Sequence, residues 1–249
     1  MSVICKVDQI TKSFQEDFYK KPVQVLKKVS FEITKGKFVG FIGPNGAGKT
    51  TTIKCMMQFI FSDSGNIQFF NQDDFLDSKK RIGFLPERPY FQEFLTALEF
   101  LNLHWKLSDK KKQDFLPRAL EVLELVKLSH AKEKKLKEFS KGMLQRIGIA
   151  QSLLAYPEFL ILDEPMSGLD PDGRILIKEI LKNLKNSGMT VLMSSHLLED
   201  VEELCEEIII LHKGETLFNG TTVGFKENFE SLEQAYKAFK GQLEVNYNV

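Results

Sequence analysis

Apolar and polar positions change rhythm twice along the chain. From the start to about residue 87, short runs rich in β-branched and aromatic residues alternate with turn signals: Val3 to Ile10, Val29 to Ile33, Phe38 to Ile42, Ile67 to Phe70 and Ile82 to Leu85. Such runs predict strands. Between about Pro89 and Tyr156 the period becomes helical. There Thr96-Ala-Leu-Glu99 forms a capping box followed by Leu98, Leu101 and Trp105 on one face, which predicts a helix starting at Thr96. A second helical stretch carries Leu116, Leu120, Leu123 and Val126 or Lys127, with Pro117 kinking it or marking its start.

After Tyr156 the strand-and-helix alternation returns. Phe159 to Leu162, Met189 to Met193 and Glu207 to Leu211 read as strands, and about 174 to 185 and about 197 to 204 as helices. Continuously apolar strands separated by amphipathic helices predict a mainly parallel sheet covered on both faces, an α/β fold. A last short helix is expected near Ser231, and no repeat or low-complexity segment interrupts the pattern.

Composition adds exclusions. With 34 Lys and Arg against 34 Asp and Glu, no global field draws the chain to nucleic acid or to an anionic membrane. Cys5, Cys55 and Cys205 are odd in number, widely spaced and without a C-x-x-C pair, which suggests neither a disulfide framework nor a zinc site and fits a reducing cytoplasm. The longest apolar runs fall far short of the roughly 18 residues that span a bilayer, so work at a membrane requires another chain to hold this one there.

The sharpest chemical signal is Gly43-Pro44-Asn45-Gly46-Ala47-Gly48-Lys49-Thr50, which matches G-x-x-x-x-G-K-[ST] between a predicted strand and a predicted helix. Glycines let successive amides turn toward phosphate oxygens, and the helix start adds its positive dipole end. Lys49 is placed for the β and γ phosphates, Thr50 for Mg²⁺ and Thr51 for the α phosphate. The alternative, a plain glycine turn, has to explain away both spacing and context.

A second signal closes the strand Phe159 to Leu162 with Asp163-Glu164. Ligands gather at the carboxyl ends of strands in doubly wound sheets. Adjacent strand residues point to opposite sides, so the two acids divide their labour: Asp163 toward Mg²⁺, Glu164 toward an attacking water as general base. Ser140-Lys141-Gly142-Met143 opens a further helix with Ser140 as N-cap. A capping box would need Glu or Gln at Met143, so the first-turn amides are left for an external anion, or the segment is an ordinary cap.

In this order the residues resemble the ATP-binding cassette ATPases, over essentially the whole chain. Gly43 to Thr51 looks like the Walker A loop, Phe139 to Met143 like the signature sequence L-S-G-G-Q, Phe159 to Glu164 like Walker B, Ser167-Gly-Leu-Asp170 like the D-loop and His196 like the switch histidine. The resemblance implies a single P-loop NTPase domain over 1–249. A mainly parallel core with an N-terminal antiparallel β subdomain would occupy 1–87 and 157–220, an inserted helical subdomain 88–156 and a short helical extension 221–249.

It also implies ATP as substrate, Mg²⁺ as cofactor, and two copies, or this chain and a homologous ATPase subunit, meeting head to tail. Ser140, Lys141, Gly142 and Met143 of one copy would then act on ATP held by the other. Asp170 would cross that interface, and His196 would hold the γ phosphate and the water. A separate transmembrane permease would place the chain on the inner face of the cell membrane.

Departures from the pattern refine the resemblance. Glu87 stands where the family carries glutamine, and a carboxylate there still suits Mg²⁺. Lys141 replaces the first signature glycine and Met143 the terminal glutamine, a pattern like that of the exporter branch with separate membrane chains. Phe14 fits the position of the base-stacking aromatic, with Phe18 and Tyr19 as alternatives because the stretch after it is lengthened. Tyr90 to Phe94 reads either as a docking surface or as core of the helical lobe, and His104, His130 and His212 as structural or surface residues. A non-transport ATPase acting on nucleic acid or ribosomes would call for a long coiled coil or a second cassette, and the sequence holds neither.

Overall fold

The computed structural model describes residues 2–15, 19, 21–72, 75–108 and 111–247, with side-chain placement given through 241 except at 112. In chain order the strands are β1 (Val3–Phe14), β2 (Val23–Thr34), β3 (Phe38–Ile42), β4 (Ser64–Phe69), β5 (Ile82–Leu85), β6 (Phe159–Asp163), β7 (Thr190–Ser194), β8 (Glu207–His212) and β9 (Glu215–Thr221). The helices are α1 (Lys49–Met56), α2 (Phe75–Ser78), α3 (Ala97–Lys106), α4 (Phe115–Leu125), α5 (Lys141–Leu153), α6 (Pro171–Asn186), α7 (Leu198–Leu204), α8 (Thr222–Lys226) and α9 (Leu232–Tyr247).

Two sheets result. One is three-stranded and antiparallel, ordered β2-β1-β4. The other runs β5-β6-β7-β3-β8-β9 and is parallel except for the β8–β9 hairpin. Strand periodicity sorts the core into two layers. Phe38, Ile42, Leu160, Leu162, Val191 and Met193 face the layer shared with α3 to α7. Their neighbours Val39, Phe41, Phe159, Ile161 and Leu192 face the other, where α1 and the three-stranded sheet pack. Each fully buried side chain of this size contributes roughly 1.5–3 kcal/mol.

The predicted start of α3 holds in detail. Thr96 Oγ1 accepts the Glu99 N–H while the Glu99 carboxylate accepts the Thr96 N–H, both capping-box bonds being present. Pro117 sits in the first turn of α4, where its missing N–H costs nothing, so it marks the start and does not kink the helix. The buried face of α4 meets the expected one only in part. Leu123 and Val126 are buried as expected, together with Ala119 and Val122, whereas Leu116 and Leu120 are exposed. The strand ends also run longer than the apolar pattern, because polar residues keep the pairing: β2 begins at Val23 and β9 was not foreseen.

Helix α5 lies unusually close to the outermost parallel strand. A Cβ on Gly83 of β5 would meet the Ser152 carbonyl oxygen at 2.1 Å, and one on Gly148 of α5 would meet Leu85 Cδ1 at 2.7 Å. Glycine at Gly83 permits a backbone-to-backbone approach, and glycine at Gly148 makes room for the Leu85 side chain.

Candidate active site

The loop after β3 ends in Gly48, the N-cap of α1, at φ +106°. A side chain there would be strained and would meet Leu26 Cδ2 at 2.7 Å. No side chain caps the helix start and no acid occupies its first turn, so the first amides are turned toward the cleft without a local carboxylate. Lys49 is buried, 7% exposed, and its ammonium donates to the Gly43 carbonyl oxygen at 2.7 Å and to that of Pro44 at 3.4 Å. Burial holds the ammonium below its ordinary value, against the pull of Glu164, Asp163 and Glu87, so an incoming anion finds a poorly solvated cation.

A cleft of about 490 Å³ runs along this loop. Its lining comprises Pro44 to Thr51, Glu87, Glu164, Ser167, His196 and Val25. The sheet register explains why distant segments meet there: Asp163 pairs with Ser194 on β7, which in turn pairs with Phe41 on β3.

Asp163 and Glu164 do divide, but by a turn and not by strand alternation. Asp163 ends β6 and is 2% exposed, whereas Glu164 leaves the strand at φ +52° and lines the cleft. Burial pushes the Asp163 carboxyl above its ordinary value, opposed by hydrogen bonds from the Ser194 and Thr50 side chains. Ser194 is the link. Its hydroxyl donates to Asp163 Oδ1 at 2.6 Å and accepts the Glu164 N–H at 2.8 Å, with no surface exposed. Glu164 Oε2 lies 2.7 Å from His196 Nδ1.

This linking role of Ser194 was not legible in the chain, because the apolar run of β7 stops at Met193 and the serine reads as loop. Ser167, the first residue of the D-loop-like segment, also lines the cleft, as does Val25, which carried no signal of its own.

The remaining expected residues separate into two further places. Ser140 caps α5, accepting the Met143 N–H at 3.3 Å. With Lys141, Gly142 and Asp170 it lines a second groove of about 390 Å³, distinct from the cleft. Asp170 caps α6 through the Gly173 N–H at 2.8 Å. Met143 packs against the core. Glu87 lines both the cleft and a third groove of about 470 Å³ that includes Tyr90, Phe91, Lys141 and Gln145.

The Tyr90 to Phe94 stretch is partly exposed and partly core of the helical lobe. Tyr90 and Phe94 are 85% and 70% exposed, while Phe91 packs against Phe100 with ring centres 5.5 Å apart. Phe14 is 40% exposed, under the Lys12 ammonium at 5.6 Å, and is not among the cleft-lining residues. Tyr19 is almost wholly exposed, and Phe18 lies outside the described residues.

Among the described residues no cluster of three His, Cys, Asp or Glu side chains could hold a metal unaided. The oxygen donors present, the Thr50 hydroxyl and the carboxylates of Asp163 and Glu87, suit Mg²⁺ in chemistry and number when a ligand's own oxygens complete its shell. No helix among the described residues is long and apolar enough to cross a membrane.

Comparison with known proteins agrees with this geometry. Residues 26–167 match the family described as ABC transporter. An uncharacterized ABC transporter ATP-binding protein of Synechocystis sp. is 42% identical over 233 residues, 92% of this chain and 66% of the relative. The bacitracin transport ATP-binding protein BcrA of Bacillus licheniformis is 40% identical over 221 residues, 87% of this chain and 69% of the relative. The chain thus spans about two thirds of the length of the curated relatives it matches. A solved structure described as the ATP binding subunit of an ABC transporter superposes with a TM-score of 0.81 at 28% identity, covering 95% of this chain and 99% of that one.

Proposed function

The chain belongs to the ABC transporter family as an ATP-binding domain of ATPase type, and on that premise we propose that it hydrolyses Mg-ATP in a two-subunit sandwich that drives a separate permease. The observation that carries this reading is the single cleft in which Lys49, Glu164 and His196 converge above Asp163, while Ser140 and Asp170 line a groove of their own. A helix start that offers its amides away from its own cleft is useful to a second copy's nucleotide.

In this reading the amides of the 43–51 loop and Lys49 bind the phosphates. Thr50, Asp163 and Glu87 hold Mg²⁺, which when bound neutralises the phosphate oxygens. Glu164 takes a proton from a water whose oxygen attacks the γ phosphorus, and the bond to the β-phosphate oxygen breaks to release ADP and phosphate. His196, through Nδ1 to Glu164, keeps the carboxylate aimed at that water. Phe14, Phe18 or Tyr19 stacks on the base, and Val25 borders it. Asp170 and the signature residues Ser140, Lys141, Gly142 and Met143 serve the partner's nucleotide. The partner is a second copy or a homologous ATPase subunit.

The permease partner is a distinct membrane chain, and Tyr90 and Phe94 are the exposed aromatics offered to it. Export is the direction that the Glu87, Lys141 and Met143 departures support, and a bacitracin transport ATP-binding protein is among the relatives. The chain then sits on the inner face of the cell membrane, and nucleic acid is no part of its work.

The test is Glu164→Gln protein saturated with Mg-ATP. Light scattering should show a dimer that Ser140→Arg in the same background abolishes. A protein that stays monomeric at every concentration overturns the sandwich.

A further inference from the structure

Helices α6 and α7 meet along a charged seam. Arg174, Lys178, Lys182 and Lys185 recur at helical spacing on α6 and reach Asp200, Glu203 and the Leu204 carbonyl on α7. Most of the seam is solvated and carries little energy. Asp200 is different: it has no exposed surface. Arg174 Nη2 lies 3.0 Å from both of its oxygens and Lys178 Nζ 2.8 Å from Oδ1.

The placement is informative. Arg174 stands one helical turn beyond the Asp170 cap, and Asp200 stands one turn beyond His196. The clamp therefore joins the first turn of the helix that opens at the D-loop to the helix that opens behind the switch histidine. Its geometry is not tuned for stability, because Arg174 Nε is buried with no hydrogen-bond partner among the described residues. A side-on pairing would satisfy that donor. The fully buried Asp200 carboxylate, held by the partly exposed Arg174, ties the two helices together between the two site elements.

We propose that Arg174 and Asp200 are positioning residues that lock the D-loop to the switch histidine, so that nucleotide at one site of the dimer sets the geometry of the other. This rests on the two-copy reading above. It adds the device by which the two sites communicate within each chain.

The experiment measures steady-state hydrolysis against ATP concentration, Mg-ATP affinity and melting temperature for wild type, Asp200→Asn, Arg174→Lys and Glu203→Gln. Arg174→Lys keeps a charge and serves if Asp200→Asn fails to fold. Glu203→Gln alters the same seam at its exposed part. For Asp200→Asn and Arg174→Lys the Hill coefficient should fall from about two toward about one and kcat by about fivefold or more, with affinity for Mg-ATP held within about twofold. Glu203→Gln should keep the wild-type Hill coefficient. An unchanged Hill coefficient in Arg174→Lys, or an equal loss in Glu203→Gln, overturns the proposal, since a merely structural seam would show that. Dimerisation of Glu164→Gln measured alongside separates the two failures: no dimer removes the sandwich, and a dimer with unaltered cooperativity in the clamp variants removes only the clamp.

Discussion

Ser194→Ala is the sharpest single perturbation of the site, because one hydroxyl holds both acids. It donates to Asp163 Oδ1 at 2.6 Å and receives the Glu164 N–H at 2.8 Å, at a position with no exposed surface. A bond to a charged acceptor is worth about 1.5–3 kcal/mol and a neutral one about 1 kcal/mol, so alanine should destabilise the fold by roughly 2–3 kcal/mol after partial relaxation. For a chain of this size that lowers the melting temperature by roughly 5–10 °C. Loss of the hydroxyl also pushes the Asp163 carboxyl further up, since Ser194 is the first of the groups that hold it down. Glu164 loses the anchor of its backbone at φ +52°.

If about half of that energy is felt in the transition state, single-turnover hydrolysis should fall roughly 10-fold, and up to 100-fold if all of it is. Rapid-quench measurement of one turnover at saturating Mg-ATP, well below the melting temperature, reads this directly. In a Glu164→Gln background the same serine change should cost less than in wild type, because only its hold on Asp163 remains to be lost. A folded Ser194→Ala protein with wild-type turnover refutes the reasoning.

Three further outcomes follow from the structure. Because burial depresses the Lys49 ammonium, the charged form weighs against the folded state below that depressed value. Lys49→Met should therefore melt no lower than wild type without nucleotide, yet lose the rise that ligand at a hundred times its Kd gives, about 2.7 kcal/mol; a full Mg-ATP shift in scanning fluorimetry counts against it. The Glu99 carboxyl is held below its ordinary value by hydrogen bonds from Thr96, so its stabilisation is present above that value and fades as pH falls through the folded one. The melting difference between wild type and Glu99→Gln should shrink from about pH 6 to about pH 3, and a constant difference refutes it. Burial pushes the Cys205 thiol to about 12, and those of Cys5 and Cys55 also upward, so iodoacetamide at about pH 8 should label none of the three until denaturant is added.

What the sequence revealed and what it hid divide along a physical line. The loop from Gly43 to Thr51 was legible because its chemistry is local: every group it needs lies within nine residues of a strand-to-helix turn. The capping box at Thr96 was legible for the same reason. That Asp163 and Glu164 diverge at the end of β6 was legible, but the reason they diverge was not. Strand alternation was the wrong device, and the left-handed turn at Glu164 that does the work leaves no mark in a run of letters. Ser194 reaches the two acids, and Val25 the cleft, only through register across the sheets, a property of pairing between segments far apart in sequence. The face of α4 was misplaced in part, because Leu116 and Leu120 satisfy helical spacing as well as Ala119 and Val122 do, and only tertiary packing chooses between them. Phe91 and Tyr90 look alike as letters, and burial alone separates anchor from exposed aromatic.

The glycine contact between β5 and α5 has a mechanical result. At Gly83 the strand backbone rests directly on the Ser152 carbonyl with no side chain between them, and at Gly148 the missing Cβ leaves the seat that the Leu85 methyl fills, so strand and helix are keyed together at two points. Glu87 follows one end of this keyed pair and Ser140 caps the other member. A methyl group inserted at Gly83 would act as a wedge that forces the two apart.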